Sequence, residues 1–179
     1  MQQTRGYNCG MPDPEAIVQP QPERSALATR KEYRDALERV IGLAERELRI
    51  LDPDCSGLEI NSPQKCALLR AFLLRSRSNR LYVAVHDADY IRNYCPRLLD
   101  LLRQFSDRTF IHQTQGEAAR AQDCLALADK LHFVRRPVCA QPRATFVLND
   151  GEDSQGMYLR FSEIWDSSFP AVSAATSGL

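Results

Sequence analysis

Apolar positions along the chain alternate between two periodicities. From Lys31 to Glu47, Tyr33, Leu37, Val40, Ile41 and Ala44 recur every three or four residues, continuing to Leu48, and predict an amphipathic helix with Thr29 as its cap. A compact apolar run, Leu48-Arg49-Ile50-Leu51, follows and stops at Asp52-Pro53, where proline ends any ladder. Asn61-Ser62-Pro63 opens a second helix to about Arg75, with Ser62 as cap and proline at the first helical position. Leu81–His86 reads as a strand, Pro96–Phe105 as a helix and Thr109–His112 as a third strand. The alanine-rich stretch Gly116–Lys130 reads as a helix and Leu131–Val134 as a short strand. The pattern then changes. Arg143–Leu148 and Met157–Arg160 read as two strands of an antiparallel hairpin, joined by the turn-rich residues Asn149–Gly156. Phe161–Phe169 closes as a helix with Phe161, Ile164, Trp165 and Phe169 on one face. Residues 1–28, punctuated by Pro12, Pro14, Pro20 and Pro22, read as an extended or disordered tail, and 170–179 as a second tail. Residues 29–169 form one domain.

Strands separated by helices predict an α/β fold with a mainly parallel sheet, a C-terminal β-hairpin and flanking helices. Such sheets place ligands at the carboxyl ends of their strands. Asp52, His86, Asp87 and His112 are the residues this rule selects. Histidine and aspartate together suit acid–base work or metal binding. Their structural alternative is turn capping for the aspartates and satisfied core positions for the histidines.

Charge is balanced overall, with 23 basic and 23 acidic side chains, but unevenly spread. Residues 1–63 carry net −3, residues 64–143 net +7 and residues 144–179 net −4. Arg70, Arg75, Arg77, Arg80, Arg135, Arg136 and Arg143 crowd the basic segment as a candidate anion or nucleic-acid surface, although a solvated helix face explains them as well. The six cysteines include no Cys-x-x-Cys pair, which argues against a structural zinc site and for reduced, packed thiols. No apolar run is long enough to span a membrane, and no secretion signal stands at Met1–Gly6, so a cytoplasmic location is expected.

Several chemistries lack their residues. Gly151 and Gly156 have phosphate-loop spacing, but Met157-Tyr158 stands where Lys-Ser/Thr is needed, and they are expected to be hairpin-turn glycines. No Gly-x-Gly supports a dinucleotide site, and no Gly-x-Ser-x-Gly supports a serine nucleophile. No cofactor is implied.

The order of elements, together with Leu131-His132-Phe133-Val134-Arg135-Arg136-Pro137, Phe146-Val147-Leu148-Asn149-Asp150 and Phe161…Ile164-Trp165-Asp166-Ser167-Ser168, resembles one half of the phospholipase D-like fold. Residues from about 30 to 170 also resemble a small proteobacterial family of unknown function whose domain occurs attached to GNAT acetyltransferases. Catalytic phospholipase D-like members carry His, Lys two residues later and Asp seven residues later. Here His132 is followed at those offsets by Val134 and Cys139, His112 by Thr114 and Ala119, and His86 by Ala88 and Asn93. No acetyl-CoA loop of the form Arg/Gln-x-x-Gly-x-Gly/Ala is present either. The resemblance thus implies a non-catalytic binding or regulatory domain, with His132, Arg135 and Arg136 joining Asp52, His86, Asp87 and His112 as ligand-binding candidates. The ligand it implies is an anionic small molecule, nucleic acid or a protein partner, and the assemblies it suggests are a homodimer or a complex with a separately encoded acetyltransferase partner. The alternative is a metal-dependent enzyme working through Asp52, His86 and His112.

Overall fold

The computed structural model describes residues 20–172. In chain order these form β1 (Glu23–Leu27), α1 (Arg30–Leu43), β2 (Glu47–Asp52), α2 (Pro63–Arg75), β3 (Arg80–Val85), α3 (Asp89–Tyr94), α4 (Pro96–Gln104), β4 (Thr109–Thr114), β5 (Cys124–Ala128), β6 (His132–Arg136), β7 (Ala144–Leu148), α5 (Gly151–Asp166) and β8 (Ser168–Val172). The strands make one sheet in the order β1-β7-β6-β5-β2-β3-β4-β8. Only β2–β3 and β3–β4 pair in parallel, and every other pairing is antiparallel. The expected α/β architecture with flanking helices is therefore present, but the sheet is mixed rather than mainly parallel.

Alternation along the strands sorts side chains to two faces. Ile50, Val83, Ala126 and Val134 pack with the helices α1, α2 and α4 in the larger core. Leu51, Ala84, Leu125 and Phe133 pack on the other face with Phe161 and Ile164 of α5. The caps at the starts of α1 and α2 form as the sequence predicts. Thr29 accepts from the Glu32 amide while Glu32 reaches back to the Thr29 amide, and Ser62 accepts from the Lys65 amide.

Three expectations are corrected. The Gly116–Lys130 helix is absent, and Cys124–Ala128 is a fully buried strand between β2 and β6. Burial on both faces outweighs the helix propensity of its alanines. Left-handed backbone at Asp129 and Lys130 then turns the chain into β6. The C-terminal hairpin is also absent. Asn149–Gly156 is not its turn, because Asp150 caps a helix by accepting from the Asp153 amide. Glu152 and Asp153 add favourable charge in the first turn of that helix. Gly151 and Gly156 are accordingly helical, and Met157–Arg160 continues the same helix. Finally, two stretches expected as tails contain edge strands: β1 pairs with β7, and β8 pairs with β4. Residues 1–19 and 173–179 of those tails lie outside the described residues.

Candidate functional site

β2, β3 and β6 run in one direction and β5 in the other, so the end of β2, the end of β6 and the start of β5 meet at one sheet edge. A cavity of about 190 Å³ opens there, lined by Asp52, Arg136, Cys139 and the first turns of α1, which supply Arg30, Tyr33 and Arg34. Pro53–Gly57 closes one side. Asp52 and Arg136 point to the same face because each ends its strand at a position in phase with the larger core.

Asp52 is 3% exposed. Its Oδ1 accepts the amides of Cys55 at 2.8 Å and Asp54 at 3.3 Å, which folds the chain back after β2. Arg136 Nη2 stands 3.8 Å from Asp52 Oδ2, too far for a hydrogen bond. The guanidinium lies 4.3 Å from the centre of the Tyr33 ring, and Nη2 is 3.5 Å from Cys124 Sγ. Arg136 Nε is buried with no hydrogen-bond partner among the described residues. Burial therefore dominates at Asp52: it pushes the carboxyl up to about 6, against the opposing pull of the Cys55 and Asp54 amides and of Arg136. Burial likewise raises the Tyr33 hydroxyl, with Asp52 adding to the rise.

Burial makes Asp52 a pH-dependent contributor to stability. The folded state holds this proton more tightly than the unfolded chain does. The stability contributed is thus complete below about pH 4 and is lost as pH rises through 6, a change of roughly 3 kcal/mol. A carboxyl-carbon NMR titration is expected to find the Asp52 midpoint near pH 6; a midpoint near 4 would contradict the buried, weakly paired geometry.

The remaining sequence candidates are dispersed. His86 Nε2 donates to the Ala121 carbonyl at 2.8 Å and Nδ1 accepts from the Thr114 hydroxyl at 2.7 Å, so both ring nitrogens are engaged in tying the 115–123 connection to the strand ends. Asp87 is exposed and accepts the Asp89 amide, starting α3. His112 faces α5, stacked 3.9 Å from Trp165, with Nδ1 3.0 Å from Ser168 Oγ. Burial lowers its pKa. His132 begins β6, at the opposite edge of the sheet, and its Nδ1 accepts the Asn149 amide. Burial lowers its pKa too, against Asp129 and Glu45. Arg135 and Arg136 are adjacent in sequence but lie on opposite faces. Arg135 pairs at 3.3 Å with buried Asp123, which Arg160 of α5 also holds at 3.1 Å. Arg80 starts β3 and so lies at the edge away from Arg136, with its guanidinium on the Arg77 and Asn79 carbonyls. Among the described residues no three of His, Cys, Asp and Glu converge as metal ligands, and no helix is long and apolar enough to cross a membrane.

Cys124 and Cys139 form a disulfide with Cα atoms 5.5 Å apart, correcting the expectation of reduced thiols. The β6–β7 connection carries Cys139 back over β5, a return that residue spacing does not reveal. Tyr33, Arg30, Arg34 and Cys139 were not selected from sequence, where they read as a helix face and a loop. Asp129 marks the other end of β5, away from this cavity. It follows the apolar run Cys124–Ala128, and its carboxylate accepts the amides of Glu45, Arg46 and Glu47.

The fold is that of the phospholipase D-like proteins. A phospholipase D family member, Nuc from Salmonella typhimurium, superposes with a TM-score of 0.63 at 10% identity, over 86% of this chain and 100% of that one. NucT from Helicobacter pylori gives 0.59 at 12% identity, over 84% and 100%. The archaeal chromatin protein TrmBL2, whose structure shows a novel mode of DNA binding, gives 0.64 at 9% identity, over 89% of this chain and 56% of that one. No curated protein matches. The chain belongs to the family described as a domain of unknown function (DUF7931), whose profile matches residues 29–174.

Proposed function

We propose that this chain is a binding domain without phosphodiesterase chemistry, and that it captures an anion at the Asp52/Arg136 pocket. The observation that carries this reading is Arg136: a buried guanidinium that stands beyond hydrogen-bond distance of the Asp52 carboxylate and whose Nε lacks a partner among the described residues. A buried donor set of this kind is stabilised by an oxyanion, which accepts its hydrogen bonds bidentately. Arg30, Arg34 and the amino end of α1 add positive potential at the same place. Arg34 is shared with Glu59 at 3.2 Å.

The residues at the motif's positions support the non-catalytic half of the reading. Counted back from Asp129, the spacing of the catalytic motif puts Cys124 at the lysine offset and Gln122 at the histidine offset. The first is in a disulfide, and the second is an amide that cannot attack phosphorus.

Calorimetric titration with inorganic phosphate, then with short single- and double-stranded oligonucleotides across a salt series, tests this. Arg30 is exposed, so Arg30→Ala is expected to leave the fold intact and weaken phosphate about fivefold, the effect of one solvent-exposed charge. Phosphate binding that ignores Arg30→Ala and salt, or none at all, would reject the pocket. Oligonucleotide binding with a steep salt slope would extend the ligand class to nucleic acid. A homodimer and a separately encoded acetyltransferase partner are further proposals, tested by light scattering and by co-purification.

A further inference from the structure

We propose that the Cys124–Cys139 disulfide is a thiol-exchangeable latch that holds one wall of the strand-end pocket, and that its reduction loosens residues 137–143 and weakens anion capture. Only the second effect rests on the anion reading.

The two sulfurs are placed asymmetrically. Cys124 opens β5 and is fully buried, whereas Cys139 is half-buried and lines the cavity. An entering thiolate therefore reaches Cys139 first. The connection that bears Cys139 is tied back to the β5 side by the disulfide and by the Cys139 amide on the Gln122 carbonyl at 2.7 Å. A further bond, the Gln141 amide on the Val138 carbonyl at 2.9 Å, is internal to the connection and anchors nothing. With the covalent tie gone, the Cys139 amide on the Gln122 carbonyl is the backbone bond that holds that wall to the segment entering β5 among the described residues.

The exchange balances in two steps. A low-molecular-weight thiolate attacks Cys139 Sγ, forming a mixed disulfide there and expelling Cys124 as a thiolate. A second thiolate attacks the external sulfur of the mixed disulfide, releasing the oxidised small disulfide and Cys139 thiolate, which takes a proton from water. Two external thiols are oxidised and one protein disulfide is reduced. Arg136 is positioned for the first step, because its Nη2 at 3.5 Å from Cys124 Sγ stabilises the leaving thiolate. The same contact has a consequence for binding: a Cys124 thiolate competes with an incoming anion for the Arg136 guanidinium. The other described cysteines are poor competitors in exchange. Cys55, Cys66 and Cys95 are buried, and burial raises the pKa of each thiol.

Differential alkylation with peptide mass spectrometry, before and after dithiothreitol at pH 7.5, reads the bond. Hydrogen exchange of peptides covering 138–143 reads the wall, and phosphate calorimetry reads the pocket. Expected are protection of Cys124 and Cys139 from alkylation until dithiothreitol is added, exchange at least tenfold faster in 138–143 after reduction, and a tenfold rise in the phosphate Kd. Cys139→Ser should reproduce the reduced state, and reduced wild-type protein serves if that variant does not fold. Free alkylation of both cysteines in air-oxidised protein, or exchange unchanged by reduction, would overturn the latch. A phosphate Kd that is measurable and identical in both states would overturn its link to the pocket. Phosphate binding to neither state would instead reject the anion reading, while the exchange rates alone still decide the latch.

Discussion

Arg136→Met is expected to destabilise the protein by about 3 kcal/mol at pH 8 and to lower phosphate affinity by about 100-fold, corresponding to the loss of two charge-assisted hydrogen bonds. The stability loss comes from Asp52. With the guanidinium gone, a carboxylate that is 3% exposed keeps only the Cys55 and Asp54 amides as partners for its charge. Its pKa then rises beyond the value of about 6 that it has beside Arg136. Protonation limits the penalty, so the loss should shrink toward about 1 kcal/mol at pH 5, where Asp52 is neutral in both proteins. The double variant Asp52→Asn/Arg136→Met tests the argument. Asparagine keeps the oxygen that accepts the two amides and removes the charge, so the double variant should regain most of the stability while still failing to bind phosphate. Denaturant melts at pH 5 and pH 8 with paired calorimetry measure both. A double variant as unstable as the single one would place the cost elsewhere, in the packing of Arg136 over Tyr33.

Asp129→Ala should be comparably severe, costing about 3 kcal/mol and lowering Tm by about 10 °C. One carboxylate satisfies three successive amides. Oδ1 accepts from Arg46 and Glu47, both at 2.7 Å, and Oδ2 accepts from Glu45. The Asp129 amide returns a bond to the Glu47 carbonyl at 3.0 Å. These bonds join the β5–β6 turn to the chain entering β2, across more than 80 residues of sequence. Asp129 also sits at φ +53, which alanine tolerates less well. Asp129→Asn keeps one acceptor oxygen and suits left-handed backbone, so its loss should be about 1 kcal/mol. Thermal melts of the two variants separate the contributions: equal losses would assign the effect to charge rather than to the number of amides served.

Local rules located α1, α2, β2, β3 and β4 to within a few residues, because their caps, proline and periodicity are written into neighbouring positions. Those rules failed where distant chain decided the outcome. Cys124–Ala128 has helix-favouring composition and becomes a strand because β2 and β6 flank it. Asp150-Gly151 has turn chemistry and starts a helix because Phe161 and Ile164, about three to four turns on, bury against the sheet. Of the candidate site, Asp52 and Arg136 were both selected by residue type, but nothing in their spacing of 84 positions paired them.

By itself, the sequence determined the α/β class, the order of the first helices and strands, and the absence of a complete His-x-Lys-x4-Asp motif, because each depends on residue type and near-neighbour spacing. The tertiary structure alone decided strand order, the mixed direction of the sheet, the Cys124–Cys139 bond and the faces on which Arg135 and Arg136 lie. Those properties depend on which distant strands become neighbours, and that is settled by burying two apolar faces of one sheet at once.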